Sequence, residues 1–120
     1  MRFLGFDHVT ISIPRGEEAA ARGFYGGVLG LREIPRPDDG MIRPGMWFEL
    51  GAQQLHIGVE DEFRGARLAH PALLVDDLAA CRAAVTAAKI DTVDGPPVPG
   101  YVRFFSADPF GNRLEFMQRL

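Results

Sequence analysis

The chain carries one pattern of elements twice, and this repeat constrains its fold more than any other feature. His8 and His70 lie 62 residues apart, and each opens an alternating strand that leads into a segment with helical spacing. The first half predicts strands at residues 7–14, 31–36, 46–50 and 53–59, with a helix at 17–29. The second half predicts strands at residues 70–75, 90–93, 102–106 and 113–118, with a helix at 77–88. The order βαβββ thus occurs twice. It predicts an α+β fold of two modules, about residues 1–60 and 68–120, within a single domain over residues 1–120.

Composition excludes several classes of protein. The 120 residues are 47% hydrophobic and 24% charged, as in globular proteins, and the net charge of −3 gives no reason to expect nucleic acid or membrane binding. No apolar run approaches the roughly 20 residues that a bilayer span needs, and the first residues lack a signal peptide's apolar core. With Cys81 as the single cysteine, no internal disulfide can form, so we expect a cytoplasmic protein. A core this small also favours a homodimer.

Four side chains of the type that binds metals occupy matching positions in the two modules. His8 and His56 are 48 residues apart, and His70 and Glu115 are 45 apart. In these strands the apolar side chains alternate to the opposite face, which leaves the four on the polar faces. If the modules pair about a pseudo-two-fold axis, the four converge. Imidazole nitrogens with one carboxylate suit Zn, Ni, Fe, Mn or Co, whereas Mg and Ca prefer shells of oxygen.

Other candidates are aromatic or basic. Trp47 and Phe105 are aromatic residues that can line a substrate pocket. Arg103 flanks the strand that precedes the Glu115 strand, and it can bind an anionic group of a substrate. Cys81 belongs to the apolar stripe of the second helix, where we expect it to be buried and inert.

Four motifs carry a resemblance to a known family. They are DHVTI at residues 7–11, FYGGVLGL at 24–31, HPALLVDD at 70–77 and DPFGNRLEF at 108–116. With them the chain resembles the vicinal oxygen chelate superfamily, the group of glyoxalases, bleomycin resistance proteins and extradiol dioxygenases. The resemblance covers nearly the whole chain. Its most specific part is the ending Asp-Pro-x-Gly-Asn-x-x-Glu.

The resemblance implies paired βαβββ modules that form a half-barrel around a divalent metal. The implied ligands are His8, His56, His70 and Glu115. A metal of this kind chelates two adjacent oxygens of a small substrate and stabilises negative charge on them. Glu115, as a labile ligand that shuttles a proton, and His56, as a base, would then be the catalytic residues. This favours a glyoxalase-like lyase or isomerase.

Two other readings stay open at this point. His8, His70 and Glu115 alone could serve a small extradiol-type dioxygenase, and a metal-free protein that sequesters a small drug is a reading of another class. Ser12 and Glu60 stand where glyoxalases contact glutathione, so we expect no dependence on glutathione. In resembling small proteins, modules of two chains often meet. The linker at residues 60–69 allows either an intrachain metal site or one shared across a homodimer.

Overall fold

Alternating apolar and polar side chains build a four-stranded mixed sheet in each half of the chain. The computed structural model describes residues 1–38, 40 and 43–120. They divide into two compact units, unit 1 over Met1–Phe63 and unit 2 over Arg64–Leu120. Each unit has the order strand, helix and three further strands, which confirms the predicted α+β fold of two βαβββ modules. That the two form a single domain remains a prediction.

Unit 1 contains the first sheet. Its elements are β1 (His8–Pro14), α1 (Glu18–Ala21) with the π-helix Arg22–Val28, β2 (Glu33–Ile34), β3 (Gly45–Leu50) and β4 (Gln53–Glu60). The strand order is β1-β4-β3-β2, in which β1 and β4 are parallel and the other pairs are antiparallel. Because β4 lies between β1 and β3, His56 of β4 has Thr10 on one side and Trp47 on the other.

The helix predicted at residues 17–29 changes type along its length. After Ala21 it widens into the π-helix, and the Leu29 amide donates to the Phe24 carbonyl five residues earlier. Glycines at 23, 26 and 27 hold an α-helix weakly, which permits this widening. Phe24 and Tyr25 are both buried, and the Tyr25 ring lies 6.2 Å from that of Phe48 in β3. These rings fill the core of unit 1 beneath the apolar side of the sheet.

Unit 2 contains the second sheet. Its elements are β5 (Ala72–Leu74), α2 (Leu78–Ala87), β6 (Val93–Asp94), β7 (Tyr101–Ala107) and β8 (Arg113–Arg119). The order β5-β8-β7-β6 matches that of the first sheet, again with one parallel pair, β5 with β8. The strand predicted at residues 70–75 is shorter than expected, and His70 lies two residues before it. No helix among the described residues is long and apolar enough to cross a membrane.

The core of unit 2 lies on the apolar side of its sheet. Phe104 and Phe116, on adjacent strands, stack with their ring centroids 5.1 Å apart. The Asp77 carboxylate caps α2 by accepting from the Ala80 amide at 2.9 Å, which satisfies one of the unpaired N–H groups of the first turn. The helix then places Leu78 and Val85 in the core. With the apolar side chains of β8 packed inward, the opposite side presents Glu115.

Candidate functional site

Glu115 lies in the middle of β8, buried on the side opposite the core. Its Oε1 accepts a hydrogen bond from Nη1 of Arg103 at 2.8 Å, and its Oε2 lies 3.0 Å from Nε2 of His70. Burial raises the pKa of the Glu115 carboxyl, but the hydrogen bond from Arg103 and the close contact with His70 outweigh burial and bring the pKa below the ordinary value of 4.5. Glu115 is therefore an ionised carboxylate at neutral pH.

The second nitrogen of His70 determines what can lie between that ring and Glu115. Nδ1 is 2.7 Å from the carbonyl oxygen of Leu68, and because a carbonyl only accepts, Nδ1 carries a proton. In a neutral ring Nε2 then presents a lone pair to the carboxylate, so a cation, either a proton or a metal ion, must join them. When two ligand atoms each lie about 2.1 Å from one metal ion and meet at a right angle there, the two atoms are about 3 Å apart. The pair therefore fits a metal site.

His8 has the same kind of anchor in unit 1. At the start of β1, its Nδ1 lies 2.8 Å from a carboxylate oxygen of Asp7. Histidines that bind metals commonly give their other N–H to a carboxylate or a backbone carbonyl, which fixes the ring and its tautomer. The Asp7 carboxylate holds Nδ1 of His8, just as the Leu68 carbonyl holds Nδ1 of His70. In both rings, Nε2 is the nitrogen left for a ligand.

His56 lies in a stack of three rings. Its centroid is 4.0 Å from that of His8 and 3.9 Å from that of Trp47, whose plane is parallel within 1°. Its Nε2 bonds to the Gln54 side-chain oxygen at 2.8 Å, so binding a metal through Nε2 requires that bond to break. Burial, and then repulsion from His8, lower the pKa of His56 below its ordinary value of 6.5. A neutral, buried imidazole is suited to accept a proton.

The two sheets bring the predicted residues into matching pairs. Thr10 pairs with His56 in unit 1 and Ala72 pairs with Glu115 in unit 2, so His8 and His70 each stand two residues before the paired position. The aromatic residues also match, because Trp47 pairs with His56 and Phe105 pairs with Glu115. The Phe105 ring meets the His70 ring edge-on, with centroids 5.3 Å apart. Each unit thus brings together two of the predicted ligands and one aromatic neighbour.

Arg103 does more than the sequence indicates. Beside its bond to Glu115, its Nε and Nη2 donate to the Pro96 carbonyl at 3.1 and 2.8 Å. The guanidinium, which the sequence predicts as a substrate ligand, therefore connects Glu115 to the loop at residues 95–100. A residue spacing of 12 between Arg103 and Glu115 gives no signal of this contact, because it depends on the pairing of β7 with β8.

Asp108 and Asn112, which belong to the motif at residues 108–116, position Glu115. Oδ1 of Asp108 accepts from the amides of Phe110 and Asn112, both at 2.9 Å, and the Asn112 side chain donates to Oδ2 at 2.8 Å. Gly111 takes a φ of 90°, which other residues rarely adopt. The Asn112 oxygen also accepts from the Ala66 amide at 3.1 Å. These buried contacts fix the turn from which β8 begins.

Each unit also carries a pocket. A pocket of about 540 Å³ in unit 1 is lined by Trp47 and His56 together with three arginines, and one of about 530 Å³ in unit 2 is lined by Phe105, Gly95 and Pro96 among others. Within residues 1–38, 40 and 43–120, no group of three or more His, Cys, Asp or Glu side chains is arranged to hold a metal ion. Each unit by itself therefore brings together only two of the four predicted ligands.

Comparisons with known proteins agree on the family. The model of the Glyoxalase/Bleomycin resistance protein/Dioxygenase superfamily matches residues 5–116. A glyoxalase family protein from Bacillus anthracis is 42% identical over 100% of both chains, with a TM-score of 0.92. No curated protein matches the chain.

More distant structures share the fold. The fosfomycin resistance protein FosX from Listeria monocytogenes, as a mutant in complex with Mn(II) and 1S,2S-dihydroxypropylphosphonic acid, is 14% identical. That alignment covers 99% of this chain and 95% of FosX, with a TM-score of 0.81. The virulence protein STM3117 from Salmonella typhimurium is 17% identical over 100% of both chains, with a TM-score of 0.73. Identities this low show a shared fold only.

Proposed function

Because the chain belongs to the Glyoxalase/Bleomycin resistance protein/Dioxygenase superfamily, we propose that it is a metal-dependent enzyme acting on a small oxygen-chelating substrate. The observation that carries the proposal is the facing of His70 Nε2 and Glu115 Oε2 at 3.0 Å, with the other nitrogen of His70 held by a carbonyl. Such a pair of acceptors requires a cation between them. The reaction is a glyoxalase-like lyase or isomerase step.

The proposed ligands are His8, His56, His70 and Glu115, within one chain or shared by two chains. Three imidazoles and one carboxylate suit Zn, Ni, Fe, Mn or Co, and FosX, a protein of the same fold, has been solved with Mn(II). When bound, the ion would supply Lewis-acid stabilisation of negative charge on two adjacent substrate oxygens. Arg103 would keep Oε1 of Glu115 occupied, so that only Oε2 serves as a ligand.

The chain's own groups would handle the proton. His56 is buried and neutral at pH 7, because its pKa is lowered, and whenever its lone pair is not on the ion it can accept a proton from the carbon beside a substrate carbonyl. Glu115 would act as a second proton carrier. Trp47 and Phe105 would contact the apolar part of the substrate, each beside one ligand pair. His56 exchanges its bond to Gln54 for one to the substrate or the ion.

Two further candidates each have one supporting observation. His8 and His70 both anchor Nδ1 and present Nε2, which with Glu115 makes the two-histidine, one-carboxylate set of iron dioxygenases acting on catechols. The ion pair of Arg103 with Glu115 instead favours a metal-free protein that binds a small apolar molecule, because the guanidinium already neutralises the carboxylate. Metal content separates this last candidate from the enzymes.

Metal analysis of protein purified without chelators tests the proposal. We expect about one transition-metal ion per chain in the wild type and in Glu60→Gln, an exposed carboxylate at the end of β4. We expect the metal to be lost in His70→Ala and Glu115→Gln. Unchanged metal content in both His8→Ala and Glu115→Ala would end the metal-site proposal, and a wild type without metal would favour the binding protein.

The loaded protein can then be assayed with α-keto hemithioacetals, catechols and epoxides. The lyase or isomerase proposal predicts turnover that does not require glutathione, since Ser12 and Glu60 replace the glutathione contacts. A robust rate with methylglyoxal and glutathione that Glu115→Gln abolishes would contradict this prediction. Cleavage of a catechol with uptake of oxygen would favour the dioxygenase.

A further inference from the structure

The pocket of unit 2 has a largely apolar lining with one cation in it, Arg113. Its apolar lining residues are Ile90, Val93, Pro96, Phe105 and Ala107. The guanidinium of Arg113 lies over the Phe105 ring, with Cζ 4.2 Å from the ring centroid. We propose that Arg113 binds the acid group of a small organic acid, whose apolar body lies among the apolar side chains of this pocket.

Arg113 differs from two other partly buried arginines of unit 2 in its partner. Arg82 forms an ion pair with Asp94, and Arg103 forms one with Glu115. Among the residues that the structure describes, the Arg113 side chain has neither a carboxylate partner nor a hydrogen bond, and its neighbour is an aromatic ring. No fully buried side-chain nitrogen or oxygen in the described part of the chain lacks a partner, so the unused N–H groups of Arg113 are accessible.

An accessible guanidinium in an apolar pocket favours an anion as its ligand. It is always charged, and its five N–H donors match the paired oxygens of a carboxylate. The Phe105 ring attracts the cation electrostatically but supplies no oxygen to accept these hydrogen bonds. An acid therefore gains charge-assisted hydrogen bonds that a neutral ligand of the same shape does not.

Two aspartates in the lining limit the charge of that acid. Asp94 is neutralised by Arg82, whereas Asp91 is exposed and has no cationic partner among the described residues. A dianion would be repelled by Asp91 more strongly than a monoanion, so we expect a carboxylate to bind better than a doubly charged phosphonate. The volume of about 530 Å³ is that of a site for a small molecule.

Phe105 connects this pocket to the proposed metal ligands. It pairs with Glu115 across β7 and β8, and its ring meets that of His70 edge-on at 5.3 Å. Arg113 lies two residues before Glu115 on β8, so both side chains leave the same face of the strand, from Cα atoms about 7 Å apart. That the acid is the substrate rests on the proposed function: its acid group would lie on Arg113 and its chelating oxygens near Glu115.

Chemical-shift changes in ¹⁵N-labelled protein test the site residue by residue. Metal-free protein, prepared with EDTA, is titrated at pH 8 and constant ionic strength with benzoate, with its neutral analogue benzamide and with phenylphosphonate, mostly a dianion. We expect benzoate to give saturable shifts at the amides of Val93, Phe105 and Arg113. Benzamide should bind about tenfold more weakly or worse, the effect of losing a hydrogen bond between charged groups. Tighter binding of phenylphosphonate than of benzoate would overturn the preference for a monoanion.

Matched variants separate a built site from general attraction of charge. Arg113→Gln should weaken benzoate binding about tenfold or more, and Arg113→Lys, which keeps the charge without the fork, should weaken it less. Arg119→Gln removes the same charge from the exposed end of β8 and should bind benzoate as the wild type does. Equal affinity in Arg113→Gln and Arg119→Gln overturns the site. Should Arg113→Gln misfold, the wild type alone decides, since benzamide binding as tight as benzoate binding overturns the site too.

The proposed site and the proposed enzyme fail in different ways. Because the titration uses metal-free protein, benzoate binding by a chain that binds no metal would retain the site and remove the enzyme. Metal binding with no response to benzoate would do the reverse. In the loaded enzyme, Arg113→Gln should raise KM for a substrate with an acid group severalfold and leave kcat within about twofold. A fall in kcat with unchanged KM would contradict the binding role of Arg113.

Discussion

Arg103 donates from Nη1 to Oε1 of Glu115 at 2.8 Å across the β7–β8 pair, with both side chains mostly buried. The contact leaves only Oε2 of the carboxylate to face His70. It also joins the proposed ligand to the loop at residues 95–100, since the same guanidinium holds the Pro96 carbonyl. Glu115 is therefore held in one orientation before any ligand arrives.

Replacing Arg103 tests this coupling. Arg103→Gln leaves the buried carboxylate without its cation, so we expect the free energy of unfolding to fall by about 1.5–3 kcal/mol. Arg103→Lys keeps the charge but loses the fork, and we expect a smaller loss. Urea unfolding of metal-free protein measures both, with Arg119→Gln at the exposed end of β8 as the control, expected within about 0.5 kcal/mol of wild type. Equal losses in Arg103→Gln and Arg119→Gln would contradict the coupling.

Gly95 lies against the same guanidinium. A Cβ on this residue would come within 2.7 Å of Cε2 of Phe105 and 2.9 Å of Nε of Arg103, so both side chains would have to move. We expect Gly95→Ala to destabilise the protein by about 1–3 kcal/mol, as overpacking does. Gly23→Ala is the matched control, because a Cβ there meets nothing within 4 Å and alanine favours a helix. If Gly95→Ala were as stable as Gly23→Ala, the side chains of Phe105 and Arg103 would have moved aside at no cost, and the prediction would be wrong.

Cys81 in α2 gives a prediction about pH. Burial raises the pKa of its thiol above the ordinary 9.0, so at pH 8 less thiolate is present than in an exposed cysteine. We expect folded protein to react with a disulfide reagent severalfold more slowly than urea-unfolded protein at that pH. The folded state keeps its thiol proton to higher pH than the unfolded state does, so the free energy of unfolding should fall as pH rises through 9.0. Equal rates in both states would refute the prediction.

Exposed apolar side chains near the N-terminus give a prediction about the oligomeric state. Phe3, Leu4 and Phe6 are each at least 77% exposed, an unusual position for three large apolar side chains so close in sequence. We expect a homodimer that covers them. Sedimentation velocity at micromolar concentration should show a dimer for the wild type and more monomer for Phe3→Ser with Leu4→Ser. A monomeric wild type would exclude the dimer.

Mixing two inactive variants tests whether a metal site is shared between chains. If His8 and His56 of one chain meet His70 and Glu115 of the other, His8→Ala mixed with Glu115→Ala restores one intact site in each hybrid dimer. Metal content and activity after subunit exchange measure this restoration. If neither returns although exchange is complete, the site lies within one chain.

The order of elements was predictable from the sequence because strand and helix patterns are local. Alternation in residues 7–14 and 53–59 set the polar face of His8 and His56, and the repeat placed His70 and Glu115 at matching positions. The glycines of residues 23–27 weaken an α-helix, and the helix takes its π form over this segment. The length of β5 was less predictable, because a strand ends where its partner's hydrogen bonds end.

Contacts between strands required the tertiary structure. The stack of His8, His56 and Trp47 exists because β4 lies between β1 and β3, and sheet order is not encoded in the periodicity of any one strand. The bond of Arg103 to Glu115 depends on the register of β7 with β8, which the turn at Asp108 and Asn112 sets. A shift of one residue would turn Glu115 to the core side.

The sequence by itself determined the two βαβββ modules, their polar and apolar faces and the four ligand-type residues, since each follows from local spacing and residue type. Only the tertiary structure decided which nitrogens of His8 and His70 are anchored, that Gln54 bonds to His56, and that Arg113 lies over Phe105. These contacts depend on how the strands pair and where the loops lie, and the number of residues between two side chains does not determine the distance between them in the folded protein.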